Sequence, residues 1–111
     1  MQNLSVSVAR DFSRTPGARY LSEGDYSGEL FRTKLLVPLV REAISNKVKL
    51  VIDLDGTAGY ATSFLEEAFG GLVRREGVNA TELERVLQFK SDEEDYLIED
   101  VWSYIKEARP E

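Results

Sequence analysis

Apolar and polar side chains alternate over residues 4–8, which is the pattern of a half-buried β-strand. Residues 47–54 read KVKLVIDL, and their centre is almost continuously apolar, as in a strand that is buried on both faces. Two shorter segments, residues 18–22 and 87–90, are predicted as additional strands. The pattern therefore indicates about four strands.

Between these segments, apolar residues recur with the helix period and predict four helices. The helices are expected to begin near Ser27, Ser63, Asn79 and Ser91. Ser27 is a predicted N-cap, and three pairs have the spacing of a capping box: Ser63/Glu66, Thr81/Glu84 and Ser91/Glu94. Pro38 lies inside the first helix, and a kink or a break is expected there because proline removes one backbone hydrogen bond.

Two adjacent glycines, Gly70 and Gly71, lie in the middle of the second helix. Each glycine costs a helix about 1 kcal/mol relative to alanine. This cost is tolerable if the helix backbone lies close to another surface at this point.

The predicted order is β-β-α-β-α-α-β-α. Strands that alternate with helices favour an α/β sandwich, here with a mixed, mostly parallel sheet of about four strands packed by about four helices. Residues 1–111 have the length of a single domain, and no linker or repeat divides them.

Composition limits the chemistry that the chain can perform. Cysteine and histidine are both absent, which excludes thiol chemistry, disulfides and imidazole ligands or bases. Twenty acidic and 14 basic residues give a formal charge of −6, so binding to a nucleic-acid backbone is not expected. No apolar segment reaches the length of a membrane span, and a cytoplasmic location is expected.

The string Val51-Ile52-Asp53-Leu54-Asp55-Gly56-Thr57 resembles the first motif of haloacid-dehalogenase-type phosphohydrolases. That resemblance implies a nucleophile at Asp53, a general acid/base at Asp55 and a Mg²⁺ ion between them. About half of the chain precedes the motif, however, and too few residues follow it for the remaining motifs of that family. We therefore interpret both aspartates as strand-end residues that hydrogen-bond the glycine-rich loop, and we predict neither catalytic residues nor a metal site. A small Mg²⁺-dependent phosphohydrolase is the alternative.

A second resemblance covers residues 11–91. The matching segments are Asp11–Ser13, Pro16–Tyr20, Ser27–Arg32, Asp53–Tyr60, Ser63–Leu72 and Phe89–Ser91. On these residues the chain is similar to bacterial STAS-like domain proteins of uncharacterised function, and more distantly to the STAS domains of anti-sigma-factor antagonists. The resemblance implies an α/β fold and a non-catalytic module that binds another protein in regulation or bacterial defence.

In anti-sigma-factor antagonists, a GHKL-type ATPase/kinase phosphorylates a serine at the start of the second helix. The resemblance places that serine at Ser63, with Thr62 as a second candidate. The chain departs from the family pattern at Ala61 and Phe64, which replace an aspartate and a glycine. The alternative interpretation of Ser63 is a simple N-cap.

The predicted partner-binding surface is the glycine-rich loop after the central strand, with five residues expected to contribute: Asp55, Gly56, Thr57, Gly59 and Tyr60. Tyr60 is expected to be exposed, and the alternative is that its ring closes the loop. Arg14, Arg19 and Tyr20, around a Pro-Gly turn, are secondary contact candidates, with Arg–carboxylate pairing as the alternative. No cofactor is expected, since the loop lacks the lysine of a Walker motif, and nucleotide binding stays a further alternative.

Overall fold

The computed structural model describes residues 2–111, and its centre is a small parallel β-sheet. Within these residues the sheet has three strands: β1 (Leu4–Ser7), β2 (Leu50–Asp53) and β3 (Leu87–Lys90). The strands are ordered β1-β2-β3, and Ile52 of the central strand lies opposite Val6 on one side and Phe89 on the other. The α/β class is therefore confirmed, and the sheet is entirely parallel with three strands rather than about four.

In residues 2–111, five helices pack around this sheet, and a short 3₁₀ helix (Leu21–Glu23) lies in the connection between the first two. α1 (Val8–Asp11) follows β1 directly, α4 (Ala80–Val86) precedes β3, and α5 (Tyr96–Glu107) ends the fold. α2 covers residues 28–46 and consists of three consecutive segments, Gly28–Phe31, Arg32–Leu36 and Val37–Asn46. α3 covers residues 62–74 and likewise consists of Thr62–Leu65, Glu66–Gly70 and Gly71–Arg74. The middle segment of each long helix has π-helical hydrogen bonding. A helix that could span a bilayer is not found in residues 2–111, because none there is sufficiently long and hydrophobic.

The predicted strand over residues 18–22 is wrong. The backbone N–H groups of Arg19 and Tyr20 donate to Oε1 of Glu23, at 3.2 and 3.0 Å, instead of to a neighbouring strand. The carbonyl of Arg19 accepts the N–H of Glu29, in the first turn of α2, at 3.0 Å. This segment is thus a loop that leads into the 3₁₀ helix Leu21–Glu23 and binds the start of α2, which explains the lower strand count.

α2 continues through Pro38 without a break. The five residues before α2's last segment, Arg32–Leu36, form a wider π-helical turn, in which the Val37 N–H donates to the Arg32 carbonyl. A proline ring presses against the carbonyl four residues earlier, and the wider turn immediately before Pro38 provides room for it.

Two of the predicted helix starts differ in detail. Asn79, rather than Thr81, caps α4, since its Oδ1 accepts the Thr81 N–H at 2.7 Å. The last helix begins at Tyr96 rather than at Ser91, whose hydroxyl donates to the Glu94 carbonyl at 2.7 Å. The acidic residues 92–95 therefore form a loop and the edge of the helix, not its first turns.

Large aromatic side chains of the core meet where α2 crosses α3. Phe31 and Phe64 are fully buried, with ring centroids 5.9 Å apart. Burial of each such side chain contributes about 1.5–3 kcal/mol. The crossing is close because Gly28 has no side chain: a Cβ atom there would lie 2.4 Å from the Phe64 carbonyl oxygen. Ser27, confirmed as the N-cap of α2 by a 3.0 Å bond from the Leu30 N–H, fixes the helix start at this contact.

Candidate functional site

Asp53 and Asp55 lie at the carboxyl edge of the sheet, where β2 enters the glycine-rich loop. Oδ1 of Asp53 accepts the backbone N–H of Asp55 at 2.9 Å. Asp55 reaches across to the loop that follows β3, where its Oδ1 accepts the Glu93 N–H at 2.9 Å and its Oδ2 accepts the Asp92 N–H at 3.0 Å. The carboxylate of Asp55 therefore links the loop after β2 to the loop after β3 by hydrogen bonds.

Lys90 provides the positive charge beside these carboxylates. Its Nζ lies 3.0 Å from Asp55 Oδ2, 3.3 Å from Asp92 Oδ2 and 3.9 Å from Asp53 Oδ2. Hydrogen bonds from the backbone N–H groups of Glu93 and Asp92, and then from Lys90, lower the pKa of Asp55. The hydrogen bond to Asp55 in turn raises the pKa of Lys90.

Groups of the chain itself surround the carboxylates of Asp53 and Asp55. Three donors from the chain itself already occupy the oxygens of Asp55, and an ammonium group lies next to both aspartates. Across residues 2–111, no group of three or more acidic side chains is arranged so that it could hold a metal ion. The two aspartates thus make the local hydrogen bonds that their interpretation as strand-end residues requires.

Hydrogen bonds from backbone N–H groups fix the loop between β2 and α3 to two other segments of the chain. The Gly56 N–H donates to Glu93 Oε1 at 2.8 Å, and the Ala58 N–H donates to the Arg14 carbonyl at 2.8 Å. Gly56 has a φ of 92°, which favours glycine, and Gly56 and Ala58 are exposed. The loop therefore presents its backbone to solvent in a defined conformation.

The expectation of an exposed Tyr60 is wrong. Tyr60 is half-buried, its hydroxyl donates to the Leu54 carbonyl at 2.8 Å, and its ring centroid lies 6.0 Å from that of Phe64. Burial raises the pKa of the Tyr60 hydroxyl. The ring closes the loop over the end of β2, which is the alternative that the sequence left open.

Ser63 does not cap α3. The helix begins at Thr62, and the N-cap position is taken by Ala61, which has no side-chain hydrogen bond to offer. Glu66, the predicted partner of Ser63 in a capping box, binds Arg19 and Arg74 instead. Within residues 2–111 the Ser63 hydroxyl has no hydrogen bond, and it is half-exposed beside the exposed Thr62. Its interpretation as an N-cap is therefore wrong.

The glycine-rich loop and most of the fold lie within a segment that a known family shares, whereas β1, α1 and most of α5 lie outside it. The sequence model of the STAS-like domain of unknown function (DUF4325) matches residues 27–97, which is more than half of the chain. The chain belongs to this family. No curated protein and no solved structure shows significant similarity to it. The resemblance expected from the sequence is thus confirmed at the level of the family.

In this STAS-like domain, the secondary contact candidates have different surroundings. Arg19 is partly buried, and its Nη1 lies 2.5 Å from Glu66 Oε1. Tyr20 is exposed at its edge and stacks with Arg75, whose guanidinium carbon lies 5.8 Å from the ring centroid. Arg14 is exposed, and its carbonyl binds the glycine-rich loop. The alternative for this region is Arg–carboxylate pairing across the Pro-Gly turn. Arg19 does pair with a carboxylate, but its partner, Glu66, lies on α3.

The sequence reasoning missed a cluster of buried charges between α2 and α3. Arg32 and Glu67 have side chains that are only 2% and 1% exposed, and Arg32 Nη1 lies 2.7 Å from Glu67 Oε2. The same nitrogen donates to the Glu67 carbonyl at 2.7 Å, and Arg32 Nε donates to Glu76 at 3.0 Å. Arg75 adds a further contact to Glu67 at 3.0 Å. Every charge in the cluster has an opposite partner, as burial requires.

The glycine pair of α3 makes room for this cluster. A Cβ atom at Gly71 would lie 2.3 Å from Arg32 Nη1, and one at Gly70 would lie 2.7 Å from Glu66 Oε2. The condition under which the two glycines are tolerable, a close approach of another surface, is therefore met. Burial by itself would raise the pKa of Glu66, but hydrogen bonds from Arg74 and Arg19 outweigh it and lower that pKa.

The signal for the cluster was present in the sequence. Arg32 lies in the row Gly28, Arg32, Leu36, Val40, at the four-residue spacing of the buried face of α2. Glu67 stands between Phe64 and Gly71 on the corresponding face of α3. Opposite charges on the buried faces of two helices indicate an ion pair between them.

Asp55→Asn should reduce the stability of the domain in a pH-dependent way. The folded-state pKa of Asp55 is lowered, so its contribution is present above its unfolded pKa of about 4 and is lost as the pH falls below that value. Urea unfolding should therefore show the largest difference between parent and variant near pH 7, and a shrinking difference below about pH 4. A difference that stays constant from pH 7 to pH 3 would contradict the assigned role of the Asp55 carboxylate.

Gly71→Ala should destabilise the domain, although alanine normally stabilises a helix by about 1 kcal/mol relative to glycine. The added methyl group collides with Arg32, and we expect a loss of about 1–3 kcal/mol in the free energy of unfolding. Gly17→Ala, at a glycine with no neighbour within 4 Å of the added Cβ, is the control and should be nearly neutral. In an Arg32→Ala background the penalty of Gly71→Ala should disappear. A penalty that persists there would show that Arg32 is not its cause.

Proposed function

We propose that this STAS-like domain is a non-catalytic regulatory module that binds a partner protein. Its contact surface is the loop over residues 56–61 together with the first turn of α3. The expected partner is a GHKL-type ATPase or kinase, because anti-sigma-factor antagonists, which the chain resembles, bind such proteins.

The observation that carries the proposal is that, at the carboxyl edge of the sheet, the carboxylates are bound within the chain and the loop above them is exposed. The carboxylates beneath the loop bind the chain's own N–H groups and Lys90, whereas Gly56, Ala58 and Thr62 above them are exposed. A loop that is already fixed loses little conformational entropy when a partner binds. Small exposed residues also allow the backbone of a partner to approach closely.

Ser63 is the proposed phosphoacceptor. Its hydroxyl is free of the capping bond that would otherwise occupy it, and it lies in the first turn of α3, where the helix dipole favours a negative charge. A phosphate adds about −1.5 to −2 charges. Glu66, one turn later, is already paired with Arg19 and Arg74. Because these arginines offset its negative charge, Glu66 repels a phosphate on Ser63 less strongly. The modification can therefore change the contact surface while the fold stays intact.

Binding is tested with the GHKL-type ATPase encoded nearest to this domain in its genome, by calorimetry on the two purified proteins. Thr62→Arg places a bulky charge in the proposed contact surface and should weaken the affinity at least tenfold. Thr81→Arg, the same exchange in the first turn of α4, is the matched control and should leave the affinity unchanged. Failure of the parent protein to bind, or equal affinities for the parent and Thr62→Arg, would refute the proposed surface.

Phosphorylation is tested by incubation with the same ATPase, ATP and Mg²⁺, followed by peptide mass spectrometry. One added phosphate is expected at Ser63, with Thr62 as the second site to inspect. Ser63→Ala should remove the phosphate and change the free energy of unfolding by less than about 0.5 kcal/mol, since no cap is lost. Ser45→Ala, at an exposed serine of α2, should be phosphorylated like the parent. Absence of phosphate from both Ser63 and Thr62 would refute the switch but not the binding surface.

A further inference from the structure

A cavity of about 380 Å³ lies at the amino edge of the sheet, opposite the edge that carries Asp53 and Asp55. It opens between the starts of the three strands and the ends of α2 and α4. Five of its lining residues bear nitrogen donors: Asn3, Asn46, Lys47, Lys49 and Arg85. The volume lies within the range of small-molecule sites in proteins, about 300–1,000 Å³.

The charge of this cavity is opposite to that of the whole domain. Three cationic side chains and no carboxylate line it, although the chain has a formal charge of −6. Two helices end here, and each helix end carries about half a negative charge. Glu82 offsets the charge of Arg85, and the charges of Lys47 and Lys49 together exceed the two partial negative charges. The cavity is therefore a concentrated positive site on an acidic protein, which favours an anionic ligand.

The cations of the cavity keep hydrogen-bond donors for such a ligand. Lys49 Nζ donates to the Arg85 carbonyl at 2.5 Å, and an ammonium group has two further N–H donors. The Arg85 guanidinium pairs with Glu82, but both side chains are nearly half exposed, at 48% and 41%. Exposed pairs of this kind contribute little stability and exchange readily for a stronger partner.

Lys47 supplies a second, independent observation. Its backbone is left-handed, with a φ of 56° and a ψ of 43°, at the residue that ends α2. Glycine is the usual residue at this position, since a side chain there is strained. This chain has a lysine at the cavity in spite of that strain, and strained backbone is concentrated at functional sites.

We infer that this cavity binds a small organic anion that carries a phosphate group. Lys47, Lys49 and Arg85 would contact the phosphate, because charge-assisted hydrogen bonds are the strong contacts that phosphate oxygens make. Val48 and Val86 line the same cavity and provide apolar contact for the rest of the molecule. The inference is separate from the proposed partner surface, which lies at the opposite edge of the sheet.

The test is an NMR titration of ¹⁵N-labelled domain with glucose 1-phosphate and with inorganic pyrophosphate, at constant ionic strength. Saturable shifts are expected at the amides of Lys47, Lys49 and Arg85, with a Kd on the order of 1 mM or tighter. Sodium sulfate at the same ionic strength should produce shifts at least tenfold weaker. Absence of saturable shifts up to 10 mM ligand, or an equal response to sulfate, would overturn the inference.

Lys47→Gly separates a binding role from a structural one. Removal of the strained side chain should raise Tm by about 2–5 °C, while the affinity for the phosphate ligand falls at least tenfold. Ala18 is the matched control, since it is the other non-glycine residue with a positive φ among residues 2–111, at 67°. Ala18→Gly should also raise Tm but leave the affinity unchanged. A Lys47→Gly variant that binds the ligand as tightly as the parent would refute the assigned site.

Discussion

The carboxyl edge of the sheet depends on one side chain, Asp55, which accepts two backbone N–H groups and an ammonium group at once. The Asp92 and Glu93 N–H groups that it binds belong to a loop without regular secondary structure. The Asp55 carboxylate therefore supplies the acceptors that a neighbouring strand would otherwise provide for these donors. Glu93 returns the contact through the Gly56 N–H. The glycine-rich loop is therefore fixed without support from a fourth strand, and its outer surface is left free for another molecule.

A second constraint acts where α2 crosses α3. The helices approach closely at Gly28, and the Arg32–Glu67 pair fills the space that Gly71 leaves open. A buried ion pair is not by itself a source of stability, because desolvation offsets much of the attraction, but loss of one partner is costly. The cluster thus fixes how the two helices meet. Through Arg19 and Glu66, it also fixes the loop of residues 12–27 against the start of α3.

The sequence predicted the parts of the fold that depend on local periodicity. The central strand and β3 were found because their apolar segments are short and bounded by polar residues, and Ser27 was found because an N-cap is a local bond. The segment of residues 18–22 could not be predicted in this way. Its apolar residues resemble a strand, but its N–H groups are bound by the side-chain carboxylates of Glu23 and Glu29, and the apolar pattern does not reveal this.

The candidate site was predicted in its location but not in its details. The spacing of Asp53 and Asp55 indicates a strand end, yet no pattern reveals that Asp55 binds a loop 37 and 38 residues later. Ser63 and Glu66 have the spacing of a capping box, but the arginines that the fold brings to Glu66 compete successfully for its carboxylate. Charge-assisted bonds from two guanidinium groups are stronger than a single bond from a backbone N–H.

The central claim is that Asp53, at the end of β2, and Asp55, in the loop after it, serve the architecture of that loop and hold no catalytic metal. The most direct measurement is a crystal structure of the domain soaked with Mg²⁺ and beryllium fluoride, a mimic of a phosphoryl group. The account predicts that Asp55 keeps its bonds to the Asp92 and Glu93 N–H groups and that no ion lies between Asp55 and Asp53. A Mg²⁺ ion coordinated by both carboxylates, with the mimic attached to Asp53, would contradict it.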